Sequence, residues 1–382
     1  MPSISPLPHP EAGPHSLHTS LEAKAAPRIQ FIDKQSLNYI VKSGIAGGVA
    51  GCAAKTLIAP LDRVKILFQT SNPEFTKYAG SMTGLLKASK RIYAMDGVMG
   101  LFQGHSATLL RIFPYAAIKF VAYEQIRTLL IPTDEYETAG RRLLAGSLSG
   151  LTSVACTYPL DLIRVRLAFS TKHKHAGVVP RGRLLSTIAS IYNEAPPARE
   201  TDPNFVKYAR KSLPSFAVQV SNFYRGFVPT IIGMIPYAGV SFYTHDLIHD
   251  IFRSPLLANV TVRQVASRSF VSKRSSDEAE FKSSHDQRAP LKAWAQLIAG
   301  GLAGMCSQTA AYPFEVIRRR MQVGGVVNDG QFYNVKLLSK VIWREKGFRG
   351  FFVGLSIGYI KVVPMVACSF FVYERMKTGL GI

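Results

Sequence analysis

Six acid–base pairs are the residues best placed for chemistry in this sequence. Asp62 and Lys65, Asp161 and Arg164, and Glu315 and Arg318 are each three residues apart and each follow a proline by two. Glu124 and Arg127, Asp246 and His249, and Glu374 and Lys377 repeat that spacing, ten residues after Pro114, Pro236 and Pro364. In a helix this spacing puts acid and base one turn apart on one face, where they can pair with those of neighbouring helices. The chemistry it offers is ion pairing that can be made and broken. No P-loop, no G-x-S-x-G and no H-E-x-x-H accompanies the pairs, so an enzyme reading has no motif behind it.

The elements that carry the pairs recur three times. Pro60-Leu-Asp-Arg-Val-Lys65, Pro159-Leu-Asp-Leu-Ile-Arg164 and Pro313-Phe-Glu-Val-Ile-Arg318 are preceded, 13 and 9 positions earlier, by Gly47 and Gly51, Gly146 and Gly150, and Gly300 and Gly304. A second element, G-L-F-Q-G at 100–104, F-Y-R-G at 223–226 and G-F-F-V-G at 350–354, leads each time into an apolar run with an internal proline. Matches in order at fixed offsets define an internal repeat.

Each repeat holds two apolar stretches of about 20 residues, long enough to span a bilayer. The expected fold is an all-α membrane protein of six transmembrane helices in a threefold pseudosymmetric barrel, with short helices on one side. The repeats are read as 36–132, 140–253 and 291–382. An insertion near 195–222 interrupts repeat 2, a flexible loop covers 254–290, and a mobile tail covers 1–35. Small residues four apart let helices approach closely, and prolines inside spans predict kinks. Polar residues recurring in repeat register belong to a water-filled path.

Composition agrees with a membrane protein that handles anions. The 382 residues are 47% hydrophobic and only 18% charged, yet carry a formal net charge of +22. Apolar mass excludes a disordered chain, and the basic balance points to an anionic ligand. Segments 65–105, 164–225 and 318–350 hold 24 of the 46 Lys and Arg residues, which makes theirs the inner face by the positive-inside tendency. Cys52, Cys156, Cys306 and Cys368 lie far apart in apolar or small-residue stretches and read as buried thiols, not as a metal or disulfide framework. Residues 1–35 lack the apolar core of a secretory signal.

With its triplicated P-x-D/E-x-x-K/R signature, the chain resembles the mitochondrial carrier family over residues 36–380. The resemblance implies a monomeric carrier in the mitochondrial inner membrane, termini toward the intermembrane space, with alternating access to a central site and no cofactor. It also implies two gates. The matrix gate pairs Asp62 with Arg164, Asp161 with Arg318 and Glu315 with Lys65, braced by Gln69 and Gln322, whereas Ala168 departs from the bracing position. The cytoplasmic gate pairs Glu124 with His249, Asp246 with Lys377 and Glu374 with Arg127. His249 stands where the family has Lys or Arg, which makes that bridge weak or pH-sensitive. Tyr78-x-Gly80, Phe102-x-Gly104, Tyr224-x-Gly226 and Phe352-x-Gly354 resemble the family's cardiolipin motifs, though they serve equally as helix starts.

Substrate selection belongs where threefold symmetry fails. Thirteen residues before Glu124, Asp246 and Glu374 lie Arg111, Gly233 and Lys361, which match the family's substrate contact points, with Met234 beside Gly233. Lys55 lies five residues before its proline, where the other repeats have Val154 and Gln308. Arg319 lies six after its own, against Ile66 and Val165. Four cations in a low-dielectric cavity call for an anionic small molecule, not nucleic acid. Gly233 exposes backbone and leaves an open slot, with Met234 a polarizable wall for a flat ring; in the family, glycine followed by an aliphatic residue here marks carriers of adenine-containing substrates, and Tyr115 and Tyr237 are stacking or packing candidates. Arg318-Arg319-Arg320-Met321-Gln322-Val323 departs from the ADP/ATP exchanger's pattern. Stretches 52–73, 102–117 and 233–242 resemble the family's fungal coenzyme A carriers. The expectation is transport of coenzyme A, in exchange for adenosine 3′,5′-bisphosphate. Another adenine nucleotide, or a non-transporting scaffold role, is the alternative.

Overall fold

A computed structural model describes residues 37–133, 138–171, 183–194, 214–255, 257–262, 291–327 and 333–381. The N-terminal segment 1–35, most of the insertion near 195–222 and most of the 254–290 loop lie outside the described residues.

One unit is built three times. A long helix leads: α1 (Leu37–Gln69), α4 (Ala139–Phe169) and α9 (Ala293–Val327). A shorter helix follows: α2 (Met82–Leu101), α5 (Arg183–Tyr192) and α10 (Val335–Lys346). In repeat 2, α6 (Ser215–Ser221) is added before the second span. That second span is α3 (His105–Leu130), α7 (Phe227–Phe252), or the pair α11 (Leu355–Ile360) and α12 (Val362–Leu380). A single turn of helix, α8 (Ala258–Thr261), follows repeat 2.

The long helices run through Pro60, Pro114, Pro159, Pro236 and Pro313 and stay helical. Only the sixth span is interrupted, at Lys361. Pro364 has no N–H to give the Ile360 carbonyl, so the ladder loses a rung where α11 ends.

Each second span starts from a glycine that no other residue replaces easily. Gly104, Gly226 and Gly354 have φ of 86°, 82° and 84°. A side-chain carbon on Gly104 would also come within 2.7 Å of the Arg164 carbonyl, and one on Gly226 within 3.1 Å of the Arg318 carbonyl. The chain must turn there with its backbone pressed on a neighbouring signature helix, which only glycine permits cheaply.

The shorter helices are amphipathic. Leu85, Ala88 and Ile92 of α2, Leu184, Ile188 and Ile191 of α5, and Leu338 and Ile342 of α10 fall on one face each and pack under the signature helices. Where the ends of α1, α4 and α9 meet, Ile66, Val165, Ala168, Phe169 and Val323 form a central apolar plug.

Burial is lopsided along the spans. Residues 62–72, 161–171 and 312–323 supply much of the buried interior, while α12 has no buried residue and α3 only Ala107 and Thr108. The spans pair tightly between repeats (α3 on α4, α7 on α9, α12 on α1) and far less within a repeat. The result is a cup: packed at the signature end, spread at the end where Lys42 Nζ donates to the Leu380 carbonyl at 3.1 Å.

Among the described residues, four stretches are long and apolar enough to cross a membrane: Val41–Gln69, Gly140–Phe169, Ser215–Phe252 and Val335–Leu380. Of the six expected spans, α3 and α9 fall short on composition. Arg111, Lys119 and Glu124 dilute α3, and the glycines, Ser307 and Gln308 dilute α9. Both remain in the ring by packing on α4 and α7. The expectation of buried thiols needs correction, since Cys156 and Cys306 are exposed. An apolar neighbourhood in a membrane protein marks its outer surface as readily as its core.

Candidate functional site

At the signature end three ion pairs cross between repeats. Arg164 Nη2 lies 2.6 Å from Asp62 Oδ2, Arg318 Nη2 2.5 Å from Asp161 Oδ2, and Lys65 Nζ 3.0 Å from Glu315 Oε1. These are the three pairings expected from the signature, and they close a ring around the pseudo-threefold axis. Asp161 is 1% exposed and Asp62 8%, so both carboxylates depend on these partners.

Two of the three pairs are supported from below by a glutamine and a tyrosine. Gln322 Nε2 donates to Tyr158 OH and to Asp161 Oδ2, both at 3.1 Å, and Tyr158 OH donates to the Arg225 carbonyl at 2.8 Å. Gln69 Nε2 donates to Tyr312 OH at 3.0 Å, and Tyr312 OH donates to the Val353 carbonyl at 3.0 Å. The Asp62–Arg164 pair has neither member. Ala168 stands for the glutamine and Ala59 for the tyrosine, and both line a cavity with room for about one water molecule.

The cations expected to meet substrate are gathered on the same floor. Arg111 Nη1 is 3.1 Å from Asp161 Oδ1, its Nε donates to Thr157 Oγ1 at 3.2 Å, and its guanidinium lies over the Tyr115 ring. Lys361 Nζ is 2.8 Å from Asp62 Oδ1. Arg319 Nη1 donates to Asp161 Oδ2 and to Gln322 Oε1, both at 3.0 Å. Lys55 Nζ rests 3.6 Å from Met365 Sδ and faces Asp62, Lys361, Arg164 and Arg111. Seven cations (Lys55, Lys65, Arg111, Arg164, Arg318, Arg319, Lys361) thus meet three carboxylates, leaving four positive charges uncompensated. Buried Arg318 Nε and Arg319 Nε have no acceptor among the described residues.

Two expectations change in detail. Arg319 is not a cavity cation standing free, because Asp161 and Gln322 already hold it. Gly233 is not an open slot: it is buried, and a side-chain carbon there would come within 2.9 Å of Phe314 Cβ on α9. Its missing side chain lets α7 and α9 approach. Met234 and Tyr237 keep 36% and 48% of their surface exposed.

At the opposite end the expected pairs Glu124–His249, Asp246–Lys377 and Glu374–Arg127 are not formed among the described residues. Asp246 Oδ1 lies 3.6 Å from His245 of its own helix, and His245 stacks on His249 at 4.1 Å.

The chain's similarity to known proteins runs over the same elements. The family model described as mitochondrial carrier protein matches residues 37–134, 135–198 and 289–381. The chain belongs to the mitochondrial carrier family. It is 58% identical over 354 residues to mitochondrial carrier protein LEU5 of Saccharomyces cerevisiae, covering 92% of this chain and 93% of that one. It is 36% identical over 343 residues to human solute carrier family 25 member 16, covering 89% and 88%. It is 34% identical over 354 residues to mitochondrial carrier protein CoAc2 of Zea mays, covering 91% and 88%. As a mitochondrial carrier it is a transporter of the mitochondrial inner membrane for small anionic substrates, not an enzyme.

This carrier also holds a second set of charges that the sequence reading passed over. Arg63 bonds Asp96 of α2 at 3.2 Å and the Ala168 and Ser170 carbonyls of the next long helix at 3.3 and 3.1 Å. Arg166 bonds Glu194 at 3.0 Å and the Gln322 carbonyl. Arg320 bonds Glu345 of α10 at 2.8 Å and Ser71. Each arginine ties a signature helix, an acid at or just past the end of its shorter helix, and the end of the following long helix into one clamp. Arg166 and Arg320 share the seventh position after their prolines, a signal open to reading. Arg63 is one turn earlier, at the third position, and escapes alignment.

Proposed function

We propose that this carrier moves coenzyme A across the mitochondrial inner membrane by alternating access, with adenosine 3′,5′-bisphosphate as a counter-substrate. The observation that carries the reading is the excess of four positive charges on the cavity floor. Coenzyme A brings a pyrophosphate and a 3′-phosphate, about four negative charges near neutral pH. Arg111 and Lys361 stand on different repeats, so a solute with two separated phosphate groups engages both. The maize relative's name, CoAc2, accords with the same cargo.

In this reading the ion-pair ring is the matrix gate and the spread end is the cytoplasmic gate, with both termini toward the intermembrane space. Lys55, Arg111, Lys361 and Met234 face the solute, while Arg319 belongs to the gate. Tyr115 holds Arg111, and Tyr237 stacks on the adenine. The carrier works as a monomer. Cardiolipin binds at the Tyr78, Phe102, Tyr224 and Phe352 helix starts.

Thermal unfolding of the detergent-purified protein against a ligand panel tests the cargo, since a ligand of the folded state raises the melting temperature with its occupancy. Coenzyme A and adenosine 3′,5′-bisphosphate should raise it by several degrees, and dephospho-coenzyme A by clearly less. Equal shifts with ADP and ATP would make this a general adenine-nucleotide carrier instead.

A further inference from the structure

Tyr158 and Tyr312 tie a long helix to the turn that opens the second span of the same repeat. Their acceptors, the Arg225 and Val353 carbonyls, come just before Gly226 and Gly354. In repeat 1 the tyrosine position is Ala59, yet the same two elements are joined. His105, the first residue after Gly104, has Nε2 2.9 Å from Thr56 Oγ1 on α1. Thr56 lies three residues before Ala59, on the same side of the helix. The counterparts of His105 are Phe227 and Leu355, and those of Thr56 are Ala155 and Thr309. Phe227 packs edge-on against Tyr158 with ring centroids 5.2 Å apart, and Leu355 packs in the cluster around Tyr312. An apolar residue after the glycine thus goes with a tyrosine, and a histidine goes with its absence. Thr56 Oγ1 also donates to the Cys52 carbonyl at 2.8 Å. That spends the hydroxyl's single proton, so His105 carries a proton on Nε2 and donates it to Thr56.

We propose that His105 is a positioning residue of the gate, and that its bond to Thr56 does for the Asp62–Arg164 sector what the tyrosines do for the other two. The bond holds the start of α3 against α1. The backbone of the adjoining Gly104 is pressed on the Arg164 carbonyl, so a shift of that turn passes to the helix that carries Arg164. The tie stops short of the carboxylate. His105, Gln103, Asp62 and Arg164 line the same small cavity, but Gln103 does not bond Asp62 as Gln322 bonds Asp161, and its Oε1 has no donor among the described residues. The first sector is therefore braced at its helices and not at its acid. Its bond is also exposed, where water competes for donor and acceptor, which makes it the weakest of the three ties.

The inference rests on the ring being the gate but not on the cargo, and thermal unfolding in detergent reads it without any solute. His105→Ala and Thr56→Val should each lower the melting temperature by about 1–3 °C, and the double variant no further than either alone. Thr56→Val keeps the side chain's shape and carries the test if His105→Ala does not fold. His105→Gln keeps an N–H donor and should restore the parent value. His105→Phe borrows the ring of Phe227 without the donor and should melt with His105→Ala. A merely packing role predicts the reverse, so rescue by His105→Phe and failure of His105→Gln would overturn the brace. Additive losses, or none, would overturn it too. In liposomes His105→Ala should lower the maximal rate of coenzyme A uptake on the order of two- to fivefold, with KM within about twofold of the parent. A raised KM at an unchanged rate would put His105 in the binding site and overturn its role at the gate. A parent protein that takes up no coenzyme A would sink the cargo and leave the melting cycle to decide the brace.

Discussion

The two ends of the helix ring carry acid–base pairs at the same three-residue spacing and do opposite things. At the signature end each acid reaches a base on another repeat, within 2.5–3.0 Å, and two of the carboxylates are all but buried. At the far end Glu124, Asp246 and Glu374 are exposed, and Asp246 turns to a histidine one residue away on its own helix. The difference lies chiefly in what packs around the pairs. The amphipathic helices, the three arginine clamps and the apolar plug draw α1, α4 and α9 together at one end, and among the described residues no comparable device draws the other end in. The i, i+3 spacing therefore defines which charges are able to pair, while packing decides which pairs exist in a given state.

The sharpest break of that comparison is at Asp161. It holds Arg111, Arg318, Arg319 and Gln322 at once. Asp161→Ala leaves three arginines without their shared carboxylate, and removing one member of a buried pair costs about 3–5 kcal/mol. Melting should drop steeply and uptake into liposomes should vanish. An Asp161→Ala protein that melts like the parent would show that the ring does not hold this end.

Gly104→Ala comes next. Its φ of 86° costs about 1–2 kcal/mol for an L residue, and the Arg164 carbonyl lies within 2.7 Å of the added carbon. A lower melting temperature with coenzyme A binding retained is expected, because the strain falls on the closed end and not on the floor cations.

The braces offer a finer cut. Gln322→Ala leaves a buried Asp161 oxygen and Tyr158 OH short of a donor, about 1–3 kcal/mol. Ala168→Gln, at the symmetric position, has no tyrosine to meet because Ala59 stands there. In the buried apolar plug its amide goes unpartnered and should cost about 1–3 kcal/mol, whereas Ala59→Tyr together with Ala168→Gln should recover part of that loss. A gain from Ala168→Gln alone would mean that the tyrosine is not needed.

The threefold frame of the fold was legible because repetition is visible without any structure: three prolines, three acids and three glycines at constant offsets leave little room for another register. The ring pairs were expected from the resemblance to the mitochondrial carrier family, which says which neighbour each base finds; the repeats alone leave both directions around the ring open. Three things were not legible. The exposure of Cys156 and Cys306 depends on which side of a helix meets lipid, which composition does not encode. Gly233 reads as an opening in sequence, yet Phe314, 81 positions further along the chain, fills it from a helix whose rotation only packing fixes. The arginine clamps were missed because Arg63 departs by one turn from its counterparts, so the aligned columns did not repeat.

The smallest effects belong at the far end. Lys377→Ala removes a base that makes no cross-helix ion pair in this state, so melting should stay within about 0.5 kcal/mol, in contrast to Asp161→Ala. In the proposed cytoplasmic gate this base pairs when that end closes, so uptake should nonetheless fall, and a loss of stability equal to that at the signature end would abolish the contrast. His249 refines the point. A histidine changes charge between pH 5 and 8, so it serves Glu124 as a cation only at the acid side of that window. Above it the far end closes with one bridge fewer, and the uptake rate should depend on pH. His249→Lys keeps the charge throughout, and its uptake profile between about pH 6 and 8 should be flatter than the parent's. Superimposable profiles would remove His249 from the closing contacts and leave Asp246–Lys377 and Glu374–Arg127 as the pairs that close that end.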